Sequence, residues 1–165
     1  MTEQTGMAVS IQELGPIIAQ TVNAGGTVEL TATGHSMLPL LLDRVSRVKL
    51  TAIREPKYGD VVLYRRDNGT YVLHRIVKCC ADGTYTMCGD AQTALEPKLR
   101  RDQMIAVVQS FARRRRWRDC RAVTYQLWWR IHVADRPFRH LWKRGISFLK
   151  RISARISSLN RAERL

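Results

Sequence analysis

The sequence predicts a mainly β, α+β fold: a β-rich body with one N-terminal helix and a basic, amphipathic helical C-terminal tail. Three observations carry that expectation. Hydrophobicity alternates with period two in several short segments between residues 27 and 111. Turn signals built on Gly, Pro, Asn and Asp separate those segments, with no βαβ rhythm and no internal repeat. The charge is also lopsided: the net is +14, of which residues 1–112 give 12 − 11 = +1 and residues 113–165 give 16 − 3 = +13. The implied organisation is an N-terminal helix over 1–26, a β domain over 27–112 and a tail over 113–165, within 165 residues.

Each element has a local reason. Ser10-Ile11-Gln12-Glu13 has the form of a capping box. Ile11, Leu14, Ile18 and Val22 then recur at helical spacing until Gly25-Gly26 stops the helix, and Pro16 is placed to kink it. From Thr27, apolar Val28, Leu30 and Ala32 alternate with polar neighbours as a half-buried strand, which runs into the turn Gly34-His35-Ser36-Met37-Leu38-Pro39. Strands follow over Arg47–Ile53 and Val61–Arg66, divided by the Glu55–Asp60 turn. A two-residue Asn68-Gly69 turn, with both residues at positive φ, would set Arg66 against Tyr71 and Leu63 against His74. Asp82-Gly83 would repeat the device, setting Cys88 against Val77, and a strand over Gln103–Phe111 closes the body before Arg113-Arg114-Arg115-Arg116.

Several classes are excluded. No apolar run approaches the ~18 residues that span a bilayer. The first ten residues carry Glu3 and no Lys or Arg, unlike a secretory signal. Four cysteines without a CxxC pattern point to free structural thiols in a reducing, cytoplasmic setting, not to disulfides or zinc; no metal or cofactor is expected.

Ser36 is the first residue with chemical promise. A serine between Gly34 and Pro39 sits on a constrained turn that can expose its hydroxyl and direct backbone N–H groups, around Gly34, Ser36 and Met37, at an oxyanion. It needs a base. His35 is adjacent and points away; His74, mid-strand between Val72 and Ile76, is either a satisfied core histidine or that base. Asp60 and Asp90 both follow Gly, a common carboxylate turn, and Arg75 is expected in a surface ion pair.

Four boxes occur in order: Gly34-His35-Ser36-Met37-Leu38-Pro39, Tyr58-Gly59-Asp60-Val61-Val62, Tyr71-Val72-Leu73-His74-Arg75-Ile76-Val77 and Met87-Cys88-Gly89-Asp90-Ala91. Over about residues 30–110 this series resembles the superfamily of LexA-like repressors and type I signal peptidases. The resemblance implies a β-rich serine peptidase domain in which Ser36 is the nucleophile and His74 the general base. The base is His, as in the archaeal and endoplasmic-reticulum signal peptidases, where many bacterial members carry Lys. It also implies an acid that fixes the imidazole tautomer, with Asp90 the first candidate and Glu96 the alternative. The substrate would be a peptide or preprotein bound as an extended strand, cleaved by signal- or leader-peptide-type processing. An inactive peptide-binding or regulatory module of the same fold is the alternative. A helix-turn-helix ahead of the domain, as in LexA-like repressors, does not fit in the first 25 residues.

The tail interleaves basic residues with Trp117, Trp128, Trp129, Phe138, Trp142 and Phe148. Helices are expected over Tyr125–Val133 and Leu141–Ile156, parted near Pro137. Such a segment suits an anionic membrane surface, here at the inner, cytoplasmic face. Nucleic acid is the second option, through phosphate neutralisation, and packing on its own domain the third.

Overall fold

The computed structural model describes residues 11–134. The expected helix over Leu141–Ile156, with Phe138, Trp142 and Phe148, lies outside the described residues, as does Ser10 of the capping box. The chain divides into two compact units, one through Arg130 and one from Ile131. Among the described residues no helix is long and apolar enough to cross a membrane.

The expected N-terminal helix, α1, spans Ile11–Asn23 and continues through Pro16. It ends as its glycines dictate. Gly25 takes φ +83°, and bonds from Gly26 N–H to the Thr21 carbonyl (3.0 Å) and from Gly25 N–H to the Val22 carbonyl (3.0 Å) satisfy the last turn. Ile18 and Val22 are buried. Gly15 lies under the Tyr71 ring, so a Cβ there would meet its Cζ at 2.2 Å.

Among the described residues eight antiparallel strands form one sheet: β1 Val28–Thr31, β2 Ser46–Ala52, β3 Val61–Arg65, β4 Tyr71–Cys79, β5 Tyr85–Cys88, β6 Glu96–Leu99, β7 Met104–Arg113 and β8 Arg116–Asp119. The order is β1-β2-β7-β3-β4-β5-β6, and β8 pairs with the far end of β7, beyond the stretch that β3 occupies. The first strand is shorter than the expected Thr27–Thr33 segment. Val62, Tyr64, Ile76, Met87 and Met104 share one core cluster. Burying such side chains contributes about 1.5–3 kcal/mol each.

Both hairpins differ from the expected register, for one reason. At Asp67-Asn68-Gly69 only Gly69 has positive φ (+85°), and Arg66 bonds both Thr70 (2.9 Å) and Gly69 (2.9 Å). This is a three-residue loop closed by a glycine bulge, not a two-residue turn. Arg65 therefore faces Tyr71 and Val62 faces His74. Ala81-Asp82-Gly83 repeats the geometry, with Gly83 at φ +79°. A further irregularity between Ile76 and Lys78 leaves Cys88 opposite Arg75, not Val77. All four cysteines stand as thiols.

The boundary expected after Ala112 falls inside a hairpin. Strand β7 continues through Arg113 and turns at Arg114-Arg115, with Arg114 at φ +58°, so that Arg113 faces Arg116. A second helix, α2, spans Val123–Ala134 and buries Tyr125 and Trp129. The four-arginine run is thus the corner of a sheet. Strands β6 and β8 were not foreseen; Pro97 and the two arginine-rich strand halves conceal them.

Trp129 explains the second box. Gly59 has φ +95°, and a Cβ there would lie 2.2 Å from the Trp129 Cζ2. Gly59→Ala should therefore cost about 2–5 kcal/mol, combining left-handed strain with overpacking. Gly34→Ala, at φ +90° with nothing within 4 Å, should cost only about 1–2 kcal/mol. Urea denaturation of the two variants checks the contrast; equal losses would mean that the Trp129 contact is immaterial.

Candidate functional site

The Ser36 turn is built by its flanks. Gly34 adopts a left-handed conformation and donates its N–H to Asp43 Oδ1 at 2.7 Å. Gly34 thus shapes the turn, and its N–H is engaged instead of facing an oxyanion. Met37, Leu40 and Leu41 are buried, and the Leu41 N–H bonds the Met37 carbonyl at 2.9 Å. Ser36 itself is half-buried, and its carbonyl accepts the Ala91 N–H at 2.9 Å. Gly89 lies so close that a Cβ would stand 2.5 Å from the Ser36 carbonyl oxygen. The fourth box therefore holds the first box by main-chain contact, which is why it contains glycine.

His74 is 1% exposed on β4. Because Val62 faces His74 and Tyr64 faces Val72, Tyr64 lies diagonally from His74 on the same face of the sheet. Glu96 faces Met87, which faces Ile76, and so joins that face from β6. The Tyr64 hydroxyl donates to Glu96 Oε2 at 2.7 Å and lies 3.2 Å from His74 Nδ1. Glu96 Oε1 is 3.3 Å from the same nitrogen. Arg66 binds the carboxylate through both Nε (2.8 Å to Oε2) and Nη2.

This arrangement fixes the imidazole tautomer. With the Tyr64 proton directed at Glu96, both oxygens near Nδ1 are acceptors, so Nδ1 carries the hydrogen and Nε2 the lone pair. Burial lowers the His74 pKa from 6.5, against the opposing pull of Glu96, and so favours the neutral base. Burial pushes the Glu96 carboxyl up, but hydrogen bonds from Arg66 and Tyr64 outweigh it and leave the group below its ordinary 4.5. Burial and the Glu96 charge push the Tyr64 hydroxyl well above its usual range.

The expectations for Asp90 and Arg75 change. Arg75 is not in a surface pair: it is wholly buried, and its Nε and Nη2 bind Asp90 Oδ1 and Oδ2 at 2.8 and 2.7 Å. Its Nη1 donates to the Gly59 carbonyl at 2.7 Å and to the Tyr125 hydroxyl at 3.0 Å. Asp90 thus gives both oxygens to a guanidinium, and the acid in contact with His74 is Glu96. The cause is strand alternation: adjacent His74 and Arg75 face opposite sides of β4. Asp60 is a turn carboxylate, accepting the Lys57 N–H at 2.9 Å.

The structure therefore brings together His74 with Glu96, and Ser36 with Gly89 and Ala91. Continuing the Arg75–Cys88 register by one residue sets Gly89 across from His74. Among the described residues both polar contacts of His74 are at Nδ1, and none reaches Ser36. Sequence reasoning missed Tyr64 and Arg66, although their two-residue spacing and nearness to the Asn68-Gly69 turn carried the signal. No cluster of three or more His, Cys, Asp or Glu side chains among the described residues could hold a metal. No family model and no curated protein matches this chain.

Two outcomes follow from this electrostatics. Arg75→Met removes the guanidinium from the buried Asp90 carboxylate and should destabilise the fold by about 3–5 kcal/mol, whereas Arg75→Met with Asp90→Leu should recover much of that. Comparing urea midpoints of the single and double variants tests it. On acidification, His74 and Glu96, both with folded pKa values below their ordinary ones, should each withdraw stability. The His74 share is complete above pH 6.5 and is lost as pH falls from there through the lowered folded value; the Glu96 share goes below 4.5. His74→Gln should flatten the first part of that decline in a pH series of denaturation midpoints.

Proposed function

We propose that this protein is a serine endopeptidase of the LexA/signal-peptidase-like kind, processing a peptide or preprotein with Ser36 as nucleophile and His74 as general base. The observation that carries the proposal is the nest at Nδ1. Glu96 and Tyr64 hold the imidazole in the tautomer whose Nε2 is basic, as a triad acid does. The Ser36 turn packs against Gly89, next in register to His74, which supports a shared site.

In the proposed reaction Ser36 Oγ attacks a substrate carbonyl while His74 Nε2 takes the hydroxyl proton. The C–N bond breaks, Nε2 returns the proton to the leaving amine, and water hydrolyses the serine ester by the same exchange. Main-chain N–H groups at Ser36 and Met37 are the proposed oxyanion donors. The step requires the hydroxyl to close onto Nε2 when an extended substrate lies across the turn. A non-catalytic peptide-binding module is the second reading, favoured by the deep burial of His74 and its lack of a bond to Ser36.

An activated phosphonylating probe separates the two. The enzyme reading expects labelling at Ser36, none in Ser36→Ala, and losses of about 10²–10⁴-fold in His74→Ala. Glu96→Gln should lower the rate while leaving Ser36 the labelled residue. The rate should rise with pH along an acid limb centred below 6.5, because the neutral imidazole is the active form. Labelling that is absent, or indifferent to His74→Ala, would favour the binding module.

A further inference from the structure

A cavity of about 430 Å³ opens where Leu40 of the Ser36 turn meets β7, β8 and α2. Among the described residues its charged lining is Arg113, Arg116 and Arg118, and its rings are Phe111, Tyr125 and Trp128. The register explains the grouping: Arg113 faces Arg116 and Phe111 faces Arg118, so all four project on one face of the β7–β8 ladder. The neighbouring Ala112–Trp117 pair belongs to the other face, where Arg47 and Lys49 lie over the Trp117 ring at 5.3 and 5.5 Å.

Like charges placed directly across a ladder are unfavourable unless something lies between them. Among the described residues the Arg113 side chain bonds the Leu40 carbonyl at 3.2 Å, and no carboxylate lines the cavity. Arg116 and Arg118 form no ion pair among the described residues. Three guanidinium groups on one wall match the oxygens of a phosphate group. The opposite wall is aromatic, with Tyr125 and Trp128 stacked at 6.3 Å and 22°. Beside it on α2, Val123 and Leu127 are 82% and 59% exposed. Over residues 113–130 seven arginines stand against Asp119 alone, 7 − 1 = +6.

A cationic cavity with an aromatic wall and an exposed aliphatic lip suits an amphiphile, not a bare ion. We propose that it binds the phosphate headgroup of an anionic membrane lipid, with Val123 and Leu127 entering the acyl boundary. The exposed aliphatic Val123 and Leu127 suit a duplex backbone less, since that partner offers phosphates but nothing to cover Leu127. The proposal does not depend on peptidase activity.

The test uses the full chain and two charge-matched variants of the same hairpin. Arg116→Gln with Arg118→Gln removes two cavity arginines; Arg114→Gln with Arg115→Gln removes two from the turn outside it. Partitioning onto mixed phosphatidylglycerol–phosphatidylcholine vesicles should fall at least ~10-fold more for the cavity pair than for the turn pair. Leu127→Gln should also weaken it, and pure phosphatidylcholine should bind poorly. Equal losses from the two pairs would overturn the site in favour of diffuse charge. Inorganic phosphate binding without vesicle binding would overturn the lipid assignment, as would tighter binding to duplex DNA through the same arginines.

Discussion

The buried ion pair of Arg75 and Asp90 is the constraint on which the rest of the arrangement depends. Two charges withdrawn from water are tolerable only when every donor and acceptor is matched. Here the guanidinium reaches the Gly59 carbonyl and the Tyr125 hydroxyl as well as the carboxylate. It also lies 5.8 and 5.7 Å from the Tyr125 and Trp129 ring centres. One side chain thus ties β4 to the loop after β5, to the turn before β3 and to α2. The Gly-Asp boxes are structural through this pair: Gly59 supplies a carbonyl and room for Trp129, while Asp90 supplies the counter-charge.

Fixing Asp90 on one face of β4 leaves the other face to a separate group. There Glu96 is shared among Arg66, Tyr64 and His74, and the sharing sets its character. Arg66 keeps the carboxylate ionised, Tyr64 occupies one oxygen, and the imidazole receives an acceptor whose negative charge is already shared with Arg66. Removal from solvent then holds the ring neutral. The same geometry would serve a satisfied core histidine, and the difference lies in whether Nε2 meets a hydroxyl.

The strands were legible because period-two hydrophobicity is a local property, and six of the eight follow from it. Register was not, because Asn68-Gly69 and Asp82-Gly83 are compatible with two loop lengths that differ by one residue. Arg75 read as a surface ion pair because its partners lie 15 and 50 residues away. The domain edge was misread for a related reason. Arg113 to Arg118 has the composition of a solvated tail, while its alternate residues pair as a sheet corner. For the candidate site, order along the chain singled out Ser36 and His74 as candidates; telling which of Asp90 and Glu96 lies beside His74 needed the faces of the strands, which composition does not encode.

The adjacency of His74 and Arg75 bears on how the sheet finds its pairing. Each residue has a nest that suits only its own chemistry: two acceptors around one imidazole nitrogen, or a carboxylate fork with a carbonyl and a hydroxyl. A slip of β4 by one position would carry the guanidinium toward Glu96, already held by Arg66, and leave Asp90 facing a ring with a single proton to offer. Both errors strand charge in the interior. The two neighbouring residues therefore act as a proofreading device for strand alignment, rejecting the misregistered sheet even where bulged hairpins alone would tolerate it.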